Sequence, residues 1–223
     1  MIFHAKTQPP PACLAAEKAK ANGNYNCHGV LRQLVNDFKN KCYLCEDKEP
    51  HTINTEHFLP HRGDKNLKFD WNNLFYCCGH CNNTKLGKEK YDLILNCTNE
   101  ADDVEINLKY KIDPYPNAKV LIISNIADVK STNTADLLNE VYNGTTENKK
   151  LESANLRSKL LKEIKEFQDL LFQFYDTNLI KEEKEVIKGR IIHQLRPTSN
   201  FTAFKKWILR DNEVLAEDFA SYI

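Results

Sequence analysis

The sequence predicts an α+β protein, mainly helical, with a small cysteine-rich module of two strands and a helix set between N-terminal helices and a C-terminal helical region. Three observations lead there. Apolar residues recur at helical spacing near both ends of the chain, cysteine, histidine and asparagine concentrate between Cys42 and Tyr91, and strand-like alternation is confined to short segments.

The first helix is expected after Pro9-Pro10-Pro11, over Ala12 to Ala21, stopped by Asn22-Gly23. The second should run from Cys27 to Phe38, where Val30, Leu31, Leu34, Val35 and Phe38 form one apolar stripe. Past the cysteine-rich segment, Val104 to Ile112 alternates apolar and polar side chains, Asp113 to Asn117 makes a turn, and Val120 to Ile123 is a candidate pairing strand. Leu156, Leu160, Ile164, Phe167, Leu171 and Phe174 mark one long amphipathic helix, and another is expected from Lys181 to Leu195, before Arg196-Pro197. These two stripes can bury against each other or against a partner, and core packing is the default expectation. Ser199 or Asn200 is a candidate cap for a last helix carrying Phe204, Trp207 and Ile208. No repeat or linker interrupts the chain, so the segments 1–40, 41–92 and 93–223 are expected to form one continuous domain.

Composition bounds the function classes. Of 223 residues, 41% are apolar, enough for an ordinary core, and the 28% that are charged cancel to a formal net charge of zero. Capture of nucleic acid by bulk charge alone is therefore disfavoured, and a local patch or a partner would have to supply the grip. The first residues are not followed by a signal-peptide apolar region, and no run approaches the roughly 20 apolar residues of a membrane span. A soluble, cytosolic protein is expected. In a reducing compartment its eight cysteines, Cys13, Cys27, Cys42, Cys45, Cys77, Cys78, Cys81 and Cys97, are better read as metal ligands or core residues than as a disulfide framework.

Cys42-Tyr43-Leu44-Cys45 and Cys78-Gly79-His80-Cys81 are two C-x-x-C pairs about thirty residues apart. Each such turn places two thiolates on one edge of a tetrahedron, so together they predict a closed structural zinc site. Four buried cysteines acting as small hydrophobes is the competing reading, and a single pair would leave it open. Cys77 adjoins the second pair without the right spacing, and His80 is a competing ligand. Cys13, Cys27 and Cys97 show no pairing pattern and default to core.

Between the pairs stand Glu56-His57-Phe58-Leu59-Pro60-His61 and Asp70-Trp71-Asn72-Asn73-Leu74, and after Cys81 comes Asn82-Asn83-Thr84-Lys85. Thr52 to Leu59 and Asn73 to Cys77 suit paired strands, and Gly79 to Lys90 a helix. As strand neighbours, Glu56 and His57 should face opposite sides unless the strand is bent. Singly, each residue is better read as structural or solvent-facing. His61 is equally a surface histidine, and His4, His28, His51 and His193 carry no case.

As an ordered set, these residues resemble the HNH (ββα-metal) nucleases: a C-x-x-C, an acidic residue followed by His and soon Pro, Asn-Leu, then C-x-x-C-N-x-x-K. The resemblance implies a metal-dependent endonuclease in which His57 is the general base and Glu56 and Asn82 hold a catalytic Mg²⁺ or Mn²⁺. Asn73 would brace the inter-strand loop and orient His57, and Lys85, with Lys88, would contact phosphate; outside the family pattern, His61 follows Pro60 closely enough to approach the same phosphate. Two departures bear on metal preference. The acidic ligand, often Asp in the superfamily, is Glu56, and the last motif letter is Asn82 rather than His.

The Pro-rich start, the two first helices and Asn155-Leu156-Arg157 extend the likeness to the Septu-type PtuB proteins and their retron-associated relatives, HNH nucleases of anti-phage defence that work with a PtuA-type ATPase. That family implies a partner able to supply nucleic-acid binding; DNA is the favoured substrate, with RNA such as tRNA the alternative, since the motif reads a phosphodiester and cannot see a 2′-OH. The alternative from another class is a zinc-stabilised module that binds nucleic acid or protein without cutting it.

Overall fold

A computed structural model describes residues 1–223. Helices take 53% of the chain and the strands form two small antiparallel sheets, the predicted class. Helix α1 (Ala12–Ala19) starts directly after Pro11, and α2 (His28–Asp37) buries Val30 and Leu34, with Phe38 at its end fully buried. The chain then turns through Lys39 and Asn40, both left-handed at φ +56° and +55°, and so reaches Cys42.

Strands β1 (Ile53–His57) and β2 (Leu74–Cys78) pair in an unbulged antiparallel register, Ile53 opposite Cys78 and His57 opposite Leu74. The loop joining them carries the short α3 (Lys65–Lys68), and α4 (Gly79–Lys85) leaves β2 without a linker. The expected extension of α4 to Lys90 fails at Leu86, whose backbone is extended, and Gly87, left-handed at φ +74°.

The strand expected from Val104 is shorter. Val104–Asn107 is a helical turn, α5, because Asn107 turns back on the preceding acidic residues: its N–H donates to the Asp103 carbonyl at 2.9 Å and its side chain to the Asp102 carbonyl at 3.0 Å. Only Leu108–Ile112 (β3) is extended, paired with β4 (Val120–Ser124). Helix α6 (Val129–Asn143) was not anticipated. Its polar residues serve neighbouring backbone: Asn139 and Asn143 hold the β4 amides of Ile122 and Val120, and Asn133 donates to the carbonyls of Lys90 and Leu93.

The C-terminal third comprises α7 (Glu147–Phe174), α8 (Lys181–Gln194), α9 (Thr202–Arg210) and α10 (Glu213–Asp218). Phe167, Leu171 and Phe174 of α7 pack with Ile187 and Ile191 of α8, so the two stripes cover each other. The cap of α9 is Phe201 at φ +48°, not Ser199 or Asn200, whose side chains are committed elsewhere. Ser199 donates to the His193 carbonyl at 2.7 Å, and Asn200 accepts the Lys48 N–H at 3.1 Å. A single apolar cluster of 39 buried residues runs from Met1 to Phe204, so all three sequence segments share one core. No helix is long and apolar enough to cross a membrane.

Cys13 and Cys27 depart from the core role expected of them: both are half-buried and joined by a disulfide. Packing of α1 beside α2 brings their Cα atoms to 6.3 Å, within the reach of such a bond. Cys97 is buried and free, as expected.

His4 is a buried histidine whose ring packs 5.0 Å from that of Phe38, with neither nitrogen hydrogen-bonded. Burial, reinforced by the Lys41 ammonium, pushes its pKa down to about 3. The unfolded chain protonates this imidazole near the ordinary value of about 6.5. Between these limits the unfolded state binds the extra proton, so stability is full above about pH 6.5 and falls as pH drops toward 3. The loss reaches about 5 kcal/mol at most, because each tenfold difference in proton affinity between the folded and unfolded chain is worth about 1.4 kcal/mol. Urea unfolding at pH 7 and pH 4.5 should show a smaller pH-dependent loss for His4→Leu than for the wild type; equal losses would contradict this account.

Candidate metal centre and active-site cleft

The cysteine pairs are placed by two kinds of turn. Cys42 and Cys45 lie on a tight loop closed by bridging of Lys41 to Lys48, with the Glu46 N–H donating to the Cys42 carbonyl at 2.9 Å. Cys78 ends β2 and caps α4, its sulfur accepting the Cys81 N–H at 3.4 Å. The four ligand atoms are buried and lie within 4.8 Å of one another. Cys45 Sγ and Cys78 Sγ are 3.8 Å apart. Bonds of about 2.3 Å to a tetrahedral zinc imply a sulfur–sulfur edge of about 3.8 Å, so the donor set fits that ion.

Burial pushes the Cys45 and Cys81 thiols well up, whereas Cys42 falls well below the usual range despite burial because the surrounding cysteine sulfurs hydrogen-bond to it. A bound divalent ion favours the thiolate form of such ligands. Cys77 Sγ lies 3.9 Å from Cys42 Sγ but outside the group of four. His80 is committed elsewhere: its Nδ1 is 2.6 Å from Glu152 and its Nε2 2.7 Å from the Val141 carbonyl, which joins α4 to α6 and α7.

Further ties embed the module. Tyr142 Oη donates to the Cys45 carbonyl at 2.6 Å, and Arg157, from the late Asn-Leu-Arg, donates to the Tyr142 carbonyl at 2.5 Å. The fully buried Lys41 ammonium pairs with Glu46 at 3.1 Å and donates to Thr202 Oγ1 at 3.1 Å.

Beside the cysteine cluster a cavity of about 640 Å³ is lined by Glu56, His57, His61, Asn82, Lys85 and Lys88, among others. The ββα arrangement thus brings every residue expected at the reacting centre, apart from the bracing Asn73, to one cleft. His57, half-buried on β1, has Nε2 2.9 Å from the Lys68 carbonyl. A carbonyl only accepts, so Nε2 carries the hydrogen, and the neutral ring keeps its lone pair on Nδ1. Burial holds the His57 pKa below its ordinary value, favouring that neutral form. The rings of Tyr25 and His61 pack against it at 4.5 and 4.8 Å.

Glu56 is buried. Its Oε1 accepts from Lys85 Nζ at 2.8 Å and from Tyr43 Oη at 3.2 Å, which couples the first C-x-x-C loop to this carboxylate. Its Oε2 is buried with no hydrogen-bond partner. Burial raises the Glu56 pKa, and the Lys85 ammonium opposes the rise.

Lys85 requires a correction. Instead of reaching outward to a phosphate, it is buried, with its ammonium on Glu56 and on the Phe58 carbonyl at 2.6 Å. Its place in the last turn of α4 directs it at β1, where a buried carboxylate and a bare carbonyl satisfy the charge better than partial exposure would. Lys88 stands at the rim, exposed and paired with Glu140. His61 is half-buried, its Nδ1 accepting the Gly63 N–H at 3.2 Å.

Asn73 is the brace of the inter-strand loop. Its carboxamide accepts the Leu59 N–H at 2.7 Å and donates to the carbonyls of Leu59 at 2.9 Å and Leu67 at 3.1 Å. It reaches His57 only through this loop, which also carries Lys68. Asn73→Ala should strand these buried groups and lower stability by about 2–3 kcal/mol, measurable by denaturant unfolding. A loss under about 0.5 kcal/mol, the scale of an inconsequential substitution, would contradict the bracing role.

Sequence reasoning missed Tyr25 and Arg62. Tyr25 sits in the loop between α1 and α2, far from the motif, and nothing local marks it. Arg62 follows His61 directly and pairs with Asp92 at 2.6 Å on the cleft rim, so the His-Arg step was its available signal. No family model matches the chain, and a search of curated proteins finds no match.

Proposed function

We propose that this chain is a metal-dependent endonuclease of the HNH type that hydrolyses phosphodiester bonds, DNA before RNA. One observation carries the reading: a half-buried His57, fixed by the Lys68 carbonyl with Nδ1 left unprotonated, shares a cleft with Glu56 and Asn82 on a two-strand-and-helix frame closed by four cysteines. His57 takes the proton of the attacking water at Nδ1, a task suited to an imidazole kept neutral at ordinary pH. The partnerless Glu56 Oε2 and the Asn82 amide oxygen are hard donors that suit Mg²⁺ or Mn²⁺. Such an ion, when bound, neutralises charge on the phosphate and its leaving oxygen. Lys85 holds Glu56 in place, while Lys88 and His61 at the rim are positioned for flanking phosphates.

The balanced charge of the chain fits an effector that does not grip nucleic acid alone. The sequence resemblance, and not the charge, supports a role in anti-phage defence beside a PtuA-type ATPase that supplies binding and control. The test is cleavage of DNA and of RNA in Mg²⁺ or Mn²⁺, with and without that ATPase, beside His57→Ala. Metal-dependent DNA cutting lost in the variant is expected. Cutting of RNA alone would replace the substrate, and no cutting under any of these conditions would leave a zinc-stabilised binding module.

A further inference from the structure

We propose that Tyr25 is a positioning residue for His57 and that the Cys13–Cys27 disulfide is the latch that keeps it there, making the cleft sensitive to thiol–disulfide exchange. This rests on the nuclease reading for its effect on rate, but not for the contact itself. Tyr25, in the loop from Lys20 to Cys27, lines the cleft. Tyr25 meets the His57 ring edge-on at 4.5 Å, and Asn26 Oδ1 accepts the Thr55 hydroxyl of β1 at 2.8 Å. Cys27 is the next residue, and its bond to Cys13 ties the loop's end back to the start of α1.

The other ties on this segment are few and non-covalent. Helix α1 has eight residues, no side-chain cap and a single buried residue, Leu14. Isolated helices of that length are marginal, and segments with few buried contacts open first. The remaining ties are the Asn24 N–H on Glu17 at 2.8 Å, the Lys65 ammonium on the Lys20 carbonyl at 3.0 Å, the Lys68 ammonium on the Gly23 carbonyl at 3.3 Å, and the packing of the half-buried Tyr25 against the core. Breaking the disulfide removes the one covalent constraint on a weakly held segment.

The bond is also placed to exchange. Cys27 caps the ten-residue α2, where the positive end of the helix dipole stabilises a thiolate and so makes Cys27 the better leaving group. Cys13 borders an open cavity shared with His28 and Arg32, so an incoming thiolate has access and positive charge beside it. A dithiol reductant attacks the Cys13 sulfur and expels the Cys27 thiolate, which takes up a proton. Its second thiolate then releases Cys13 as a thiol, leaving the reductant as a disulfide. Two electrons and two protons pass in all.

The test uses the full chain, oxidised and reduced by such a dithiol protein, beside Cys13→Ser/Cys27→Ser, with zinc content checked throughout. The nuclear Overhauser contact between the Tyr25 and His57 rings should be strong in the oxidised protein and lost in the other two. Protease cutting between 20 and 27 should rise with that loss. With cleavage measured, kcat should fall up to about a hundredfold, the scale of a misplaced catalytic group, with KM little changed. Tyr25→Phe should retain rate and contact, while Tyr25→Leu should lose rate and no longer respond to reduction. Persistence of the ring contact after reduction, or free thiols at Cys13 and Cys27 in the oxidised protein, would overturn the latch. Failure to cut with the contact still redox-dependent would instead reject the nuclease reading and leave the latch standing.

Discussion

Cys42→Ser should abolish zinc binding and collapse the strand–strand–helix module. Structural zinc contributes about 10–16 kcal/mol in small finger peptides, where metal binding and folding are one event. Here the ion would join three pieces of backbone: the loop after α2, the end of β2 and the first turn of α4. The same loop sends Tyr43 to Glu56 and Glu46 to Lys41, so its release reaches both the cleft and the core. Without the ion, four buried sulfurs face one another with no cation to bridge them. A strong chelator should produce the same loss in the wild type, seen as a large fall in thermal midpoint and release of zinc. Cys97→Ser is the control, because Cys97 lies outside the cluster and should leave zinc content intact. A soluble, zinc-replete Cys42→Ser protein would dismiss the tetrathiolate assignment.

What the sequence made legible was short-range or strongly patterned. The C-x-x-C spacings, the stripe from Val30 to Phe38 and the heptad-like run ending at Phe174 are each decided by neighbours within one or two turns, and each has its counterpart in the structure. The cleft was legible as a set because Glu56, His57 and Asn82 keep their order along the chain, with the bracing Asn73 between them. Helix α6 was hidden because the residues it turns inward include Asn133 and Thr134, whose side chains bond to backbone rather than pack as hydrophobes. Composition alone reads such a segment as loop. The Cys13–Cys27 bond was invisible because nothing in their spacing predicts that α1 and α2 lie side by side. The inward turn of Lys85 depends on a carboxylate 29 positions earlier, and no local pattern separates a buried lysine from a solvated one.

His57→Ala should lower cleavage by about a hundredfold to ten-thousandfold, the usual contribution of a positioned general base. The same change should leave the fold nearly untouched, because the ring is half-exposed and its one hydrogen bond goes to the Lys68 carbonyl. Glu56→Gln should behave differently. It removes the charge opposite the buried Lys85 ammonium, and breaking a buried pair from one side costs about 3–5 kcal/mol. Stability and cutting should fall together in that variant. Combining Glu56→Gln with Lys85→Met removes both charges, so much of the stability should return while cutting does not. A structural role for the pair predicts that stability and cutting recover together; a role in holding the catalytic ion predicts that they part. Stability read by denaturant midpoint and rate read on one DNA substrate, across His57→Ala, Glu56→Gln and the double variant, therefore separate the residue that moves the proton from the pair that shapes its surroundings. Wild-type cutting by His57→Ala would remove the imidazole from the reaction, whatever the other variants did.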